Sequence, residues 1–298
     1  MVRLHLEEVR HEKQLLLDKF AEFCEEHNLH YTLAYGTLLG AIRDKGWIPW
    51  DDDVDVAMLR EDWNRFFSLY SNEDNSRFKV VNNVINPDVH TKIGYIYDEF
   101  THMKPRNSTE FIGFNAIQID IYPIDCIPSG RIQQKLFINH SRLLCWMAKL
   151  ADIPGGNPGG NRSIHKIVLA TFINFIMRPM NANWFIALLR KHNDKYNRKF
   201  STTQKMNGMV NMLCTTEIPR PIVPYKTYTE FIKVEYNGKE YSAVKNYDGY
   251  LRARYGDYMS PPSAEQRECH TYNSEEYYID DEYYIRQPQK SNPYAKEW

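Results

Sequence analysis

YGTLLGAIRDKGWIPWDDDVDVAM, residues 35–58, sets four aspartates, Asp51, Asp52, Asp53 and Asp55, into five positions just ahead of an apolar run. A strand is expected over 51–58, with Asp53 and Asp55 on one face and Val54 and Val56 turned into a core. Two unit charges at that i, i+2 spacing repel by roughly 2.5 kcal/mol at an effective dielectric near 20. Something must compensate them. Ahead of the cluster, YTLAY (31–35) reads as a strand and GTLLGAIRD (36–44) as a turn into a short helix. Gly36 permits close backbone approach there, and Thr37 would open a helix whose free N–H groups can hold a phosphate.

Working outward, the start MVRLHLEEVRHEKQLLLDKF (1–20) reads as an amphipathic helix, with Leu6, Val9, Leu16, Phe20 and Phe23 near one face. REDWNRFFSLY (60–70) has the same period. NAIQIDIYPID (115–125) alternates, placing Ile117, Ile119 and Ile121 on one side and Gln118, Asp120 and Tyr122 on the other. A mixture of strands and helices in the first 150 residues predicts an α/β or α+β catalytic core. DIPGGNPGGNR (152–162) breaks the composition, so a mainly helical region with a β-hairpin is expected over 151–298. The hairpin is FIKVEYNGKEYSAV (231–244), because Asn237-Gly238 suits a type I′ turn. The last 26 residues show no clear period and either dock or stay mobile.

The chain of 298 residues has a net charge of −1, which gives none of the basic bias of a nucleic-acid-binding protein. Five scattered cysteines without a C-x-x-C pair fit a reduced, cytoplasmic protein. The start lacks the apolar core of a signal peptide, and the longest apolar run, 167–177, is too short to span a bilayer.

Asp53 and Asp55, joined across a sheet by Asp120, would offer hard oxygen ligands to Mg2+ or Mn2+, and Asp120 as the third carboxylate would permit a second metal or act as a general base. A solvated acidic loop is the plainer reading of DDDVD alone. An EF-hand is excluded, since a loop starting at Asp51 would need Gly at its sixth position and Glu at its twelfth and has Val56 and Asp62.

The order Gly-Thr after a strand, Asp-x-Asp on a strand and a third Asp on a later strand resembles the nucleotidyltransferase superfamily that includes polymerase β-like enzymes. The wording of 35–58, with IDIYPID (119–125) and YGDYMSPPSAEQRECH (255–270), resembles the LicD family, whose animal relatives include fukutin-related protein. The resemblance implies an α+β, polymerase β-type mixed sheet with flanking helices. It implies transfer of a phosphorylated small alcohol, foremost phosphocholine from CDP-choline, to a hydroxyl of a cell-surface glycan such as lipopolysaccharide or teichoic acid. Carried over by position, Gly36 and Thr37 fall at the phosphate turn, Asp53 and Asp55 at the metal pair and Asp120 at the third acid. Asp51 and Asp52 flank them in supporting or capping roles, and Tyr255, Gly256, Asp257, Arg267 and His270 match the late block. A proline expected beside Lys245 in SAVKNYDGYL (242–251) is missing.

Other readings stay open. Arg267 is a diphosphate clamp or a helix-surface arginine, His270 a proton shuttle or phosphate ligand or a packed histidine, and Lys92 a phosphate ligand or a solvated strand-edge lysine. Trp47 and Trp50 could cage a quaternary ammonium, although aromatics bracketing Pro49 more often pack a loop. SIHKIVLATFINFIMRPMNANWFIALLRKH (163–192) is a buried helical pair broken at Pro179, or an interfacial helix meeting a lipid-linked glycan at the inner face of the membrane. The alternative functions are a nucleotidyltransferase acting on a small molecule, with no nucleic-acid substrate, and a non-catalytic glycan-binding relative. A glycosyltransferase with a D-x-D motif leaves YGT unexplained.

Overall fold

The structure is a computed structural model that describes residues 1–72, 76–89, 91–105, 115–151, 181–203, 209–211, 222–263, 267 and 275–284. The glycine-rich break at 152–162, the first part of the expected helical pair (163–180) and His270 lie outside the described residues. The chain divides into two compact units, residues 1–81, 94–122 and 227–298, and residues 82–93 and 123–226.

The first unit opens with β1 (Val2–Arg3) and α1 (Leu6–Glu26). It continues through β2 (Thr32–Leu33), α2 (Tyr35–Arg43), β3 (Asp55–Leu59) and α3 (Arg60–Leu69). β4 (Phe78–Asn82), β5 (Gly94–Asp98), β6 (Thr101–Pro105) and β7 (Gln118–Ile127) follow. The main sheet runs β2-β3-β7-β5-β4. β2 pairs antiparallel with β3, and β5 with β7. Helices flank this mixed sheet, giving the expected α+β class. The expected alternation holds from Ile117 to Ile121, where the three isoleucines are fully buried and Gln118 and Asp120 half-buried, and it ends at Tyr122, which is buried rather than on the polar side.

Two boundaries differ from the sequence reading. The strand expected over 31–35 is only Thr32–Leu33, because Ala34 is already the extended residue before α2 and its carbonyl accepts the N–H of Leu38 at 3.1 Å. The helix therefore begins at Tyr35, and Gly36 and Thr37 are its second and third residues. The strand expected over 51–58 begins at Asp55, since Asp51 is held in a turn by its N–H bond to the carbonyl of Ile48 (2.9 Å). Sheet bonding reaches Val54, whose carbonyl accepts the N–H of Asp120 at 3.0 Å.

The hairpin forms as expected from β10 (Phe231–Tyr236) and β11 (Lys239–Val244), with positive φ at both Asn237 and Gly238, as a type I′ turn requires. It belongs to the first unit, where the N–H of Val244 donates to Thr32 Oγ1 at 2.9 Å. α6 (Tyr247–Tyr255) follows, and β12 (Glu275–Ile279) docks part of the expected C-terminal tail between β1 and β6.

In the second unit α4 (Arg131–Ala151) packs on α5 (Ala182–Thr203) through Leu144, Cys145, Ala148, Phe185, Ile186 and Leu189. β8 (Met209–Asn211) pairs with residues 125–127 of β7, and with β9 (Val223–Pro224). One turn of α5 clamps the last acid of IDIYPID: Asn193 and Asn197 donate to the two Asp125 carboxylate oxygens at 2.9 and 2.7 Å. That aspartate is structural.

Candidate active site

The answer to the charge cluster lies on α1. Lys13 falls between Val9 and Leu16 in the helix's apolar stripe, and Arg10 lies in the adjoining stripe with Leu17 and Cys24. Both are about as buried as the leucines, 4% and 5% exposed. Arg10 grips the backbone of the acidic loop, donating to the carbonyls of Ile48 (3.1 Å), Pro49 (2.9 Å) and Asp51 (2.6 Å), and its Nη1 meets Glu7 at 2.8 Å. Lys13 Nζ lies 3.0 Å from Asp53 Oδ1. Burial would push its ammonium down, but Asp53, then Asp52 and Asp120, carry it above its ordinary value. Lys13 is thus the cation among three of the aspartates.

The carboxylates themselves are crowded. One oxygen from each of Asp51, Asp52 and Asp53 lies within 4.8 Å of the others, a set of hard donors of the kind a divalent cation takes. Asp52 is fully buried. Burial, and then the neighbouring Asp53 charge, raises Asp51 to about 6. Asp120 is raised by the same two causes, against the pull of Tyr122, whose hydroxyl donates to Asp120 Oδ2 at 3.0 Å, and of Lys13. Asp53, Asp120 and Lys13 therefore form one electrostatic group. The close cluster is Asp51–Asp53, which shares Asp53 with the Asp53/Asp55 pair expected from the sequence and otherwise lies just ahead of it.

Asp55 opens β3, and its N–H donates to the buried Thr37 hydroxyl at 2.8 Å while its carbonyl accepts the N–H of Ala34 at 2.9 Å. Thr37 Oγ1 thus ties the start of α2 to the start of β3. Gly36 has a local reason to be glycine: a Cβ there would run into the Asp51 carboxylate. Tyr35 is held at φ 46°, a left-handed conformation that costs a non-glycine residue about 1–3 kcal/mol. Its ring meets Tyr122 edge-on at 5.1 Å, with Arg254 of α6 at 5.8 Å.

Trp47 carries Arg10 at 5.4 Å, and Trp50 carries Arg43 at 5.7 Å and Arg267 at 4.8 Å. The two indoles considered for a quaternary ammonium thus stack with the protein's own guanidinium groups. Arg267 also donates to the carbonyl of Pro262 (3.0 Å), which sets it beside the acidic loop through Trp50. Lys92 is half-buried in the second unit, close enough to Cys145 to oppose the burial that raises that thiol. Sequence reasoning missed Arg10, Lys13, Tyr35 and Arg254. Cations placed inside an apolar helical stripe were the available signal for the first two.

Residues 28–150 match the family described as LicD/FKTN/FKRP, nucleotidyltransferase domain. The chain carries a LicD-family domain. It is also similar to the lipopolysaccharide cholinephosphotransferase LicD of Haemophilus influenzae, 26% identical over 262 residues that cover 86% of this chain and 91% of that protein. An uncharacterised protein of Rickettsia typhi is 35% identical over 72 residues, 24% of this chain and 23% of its own. One from Rickettsia prowazekii is 45% identical over 49 residues, 16% and 18% of the two chains. The LicD-type domain contains Gly36, Thr37, Asp51–Asp53, Asp55 and Asp120, whereas Arg10, Lys13, Arg254 and Arg267 lie outside its matched span.

Proposed function

We propose that this protein transfers a phosphorylated small alcohol, phosphocholine foremost, from a CDP-linked donor to a glycan hydroxyl, with lipopolysaccharide as the leading acceptor class. The observation that carries the reading is the similarity to a named lipopolysaccharide cholinephosphotransferase across nine-tenths of that protein's length. The acidic cluster supplies a physical reason. It concentrates hard oxygen donors within 4.8 Å of one another, and a negatively charged donor diphosphate could approach them only with cations between.

In this reading the acceptor oxygen forms a bond to the phosphorus that bears the alcohol. The bond from that phosphorus to the bridging oxygen breaks, and CMP leaves. Asp120 is the best suited proton acceptor, because its raised pKa brings it toward the operating pH of a general base. Tyr122 orients its carboxylate. Asp51, Asp52, Asp53 and Asp55 would hold Mg2+ or Mn2+, which would supply charge neutralisation on the donor diphosphate. Lys13 keeps Asp53 aimed, Arg10 fixes the loop, and Arg267 beside Trp50 is the proposed diphosphate contact. Gly36 and Thr37 act by shaping the start of α2 against the acids; Lys92 and His270 stand as proposed phosphate ligands.

The test is a panel of CDP-alcohols offered with lipopolysaccharide and magnesium, with products identified by mass spectrometry. CMP together with a phosphocholine-bearing glycan supports the reading. Pyrophosphate release from a nucleoside triphosphate would favour a nucleotidyltransferase instead.

A further inference from the structure

α4 carries a second surface that the transfer chemistry does not use. Its inner face, with Phe137, Leu144, Cys145 and Ala148, is buried. On the opposite side Ile132, Leu136, Leu143 and Trp146 are 78%, 65%, 50% and 49% exposed. At 3.6 residues per turn these four positions fall within an arc of about 80°. They form a stripe about four turns long, interrupted only by Asn139. Arg131, Lys135 and Arg142, all exposed, line one flank of that stripe. From 131 to 151 the helix contains no aspartate or glutamate.

We propose that this outer face of α4 seats on an anionic phospholipid surface. Charge decides between the two occupants that such a stripe could take. The 4-3-4-3 spacing would also suit a second copy of the same helix, but paired copies would bring basic flanks together with no acid on either helix to answer them. An anionic bilayer answers them, attracting each lysine or arginine, while the apolar stripe with its tryptophan enters the headgroup boundary. No helix among the described residues is long and apolar enough to cross a membrane, so the contact is one of lying on the surface. For such a contact 163–192 is the stretch that the sequence offers; 163–180 lie outside the described residues, and the proposal concerns α4 alone. The inference stands on the helix alone and does not rest on the transfer reading.

Co-sedimentation of the full chain with phosphatidylcholine vesicles, with and without about 30% phosphatidylglycerol, tests it without donor or acceptor. Wild type should bind only the anionic vesicles. Lys135→Gln with Arg142→Gln should weaken binding about 30-fold. Leu136→Ser with Leu143→Ser should also weaken it, with an unchanged melting temperature because both side chains are exposed. Absence of wild-type binding, or equal binding by wild type and both double variants, overturns the proposal. A dimer in sedimentation velocity that Leu136→Ser with Leu143→Ser disperses, without vesicle binding, overturns it in favour of a second copy. None of these outcomes bears on transfer activity, which is assayed separately with a soluble acceptor.

Discussion

Replacing Lys13 by methionine removes one charge from the acidic cluster and keeps most of the stem that fills the α1 stripe. The gross attraction between Lys13 Nζ and Asp53 Oδ1, 3.0 Å apart, is about 5 kcal/mol at an effective dielectric near 20. The Lys13 side chain is 5% exposed but that of Asp53 is 47% exposed, so water screens one partner. Breaking a fully buried pair costs about 3–5 kcal/mol and a surface pair at most about 1. Lys13→Met should therefore destabilise by about 2 kcal/mol and lower the melting temperature by about 5 °C in the presence of a chelator. Asp51 and Asp120 should rise further, because Lys13 is one of the influences holding both down. If the carboxylates hold a divalent ion, magnesium should return more stability to Lys13→Met than to wild type, since it replaces the missing charge. Differential scanning fluorimetry with EDTA and with millimolar magnesium reads both effects. A Lys13→Met curve in EDTA that coincides with wild type would refute the argument that this lysine compensates the cluster.

Four further outcomes follow from the same geometry. Asp120→Asn should fold normally yet lose turnover by about 10²–10⁴-fold if it is the general base, whereas Ile119→Asp should unfold the protein; retained turnover in Asp120→Asn removes that role. Thr37→Val leaves the half-buried N–H of Asp55 without its 2.8 Å partner and should cost about 1 kcal/mol in chemical denaturation, while Thr37→Ser should be mild. Gly36→Ala forces the Asp51 carboxylate aside and should abolish any magnesium-dependent rise in melting temperature; a full response would show that Asp51 is dispensable for metal. Asp51 is raised from 3.8 to about 6 in the folded protein, so its contribution to metal-free stability is present below about pH 4 and is lost as pH rises through 6. A pH series of denaturation curves should show that decline in wild type and a smaller one in Asp51→Asn.

Much of the fold was legible because its signals are local. The alternation of 115–125 became β7, REDWNRFFSLY became α3 with Trp63, Phe66 and Phe67 buried, and Asn237-Gly238 made its type I′ turn. What the sequence hid depends on contacts across long separations. The strands at 31–35 and 51–58 came out shorter because Ala34 and Asp51 spend their backbone groups on a helix start and a turn. The aspartates announced a site, but the residues that hold them, Arg10 and Lys13, lie some 40 positions away on a helix whose charged side chains would normally face water. Their place in an apolar stripe hints at burial, but what they hold is seen only once Ile48, Pro49, Asp51 and Asp53 are known to face them. Glu12 on the same helix repeats the lesson: it is buried against Arg77 and Asp98, and burial raises it to about 7.

The most direct test of transfer is a product assay with CDP-choline and lipopolysaccharide, run with magnesium, with EDTA, and with Asp53→Asn. The account predicts stoichiometric CMP and phosphocholine-bearing glycan with magnesium, and neither product under the other two conditions. Equal yields of both products in all three reactions would contradict it, because the acidic cluster would then have no part in the chemistry.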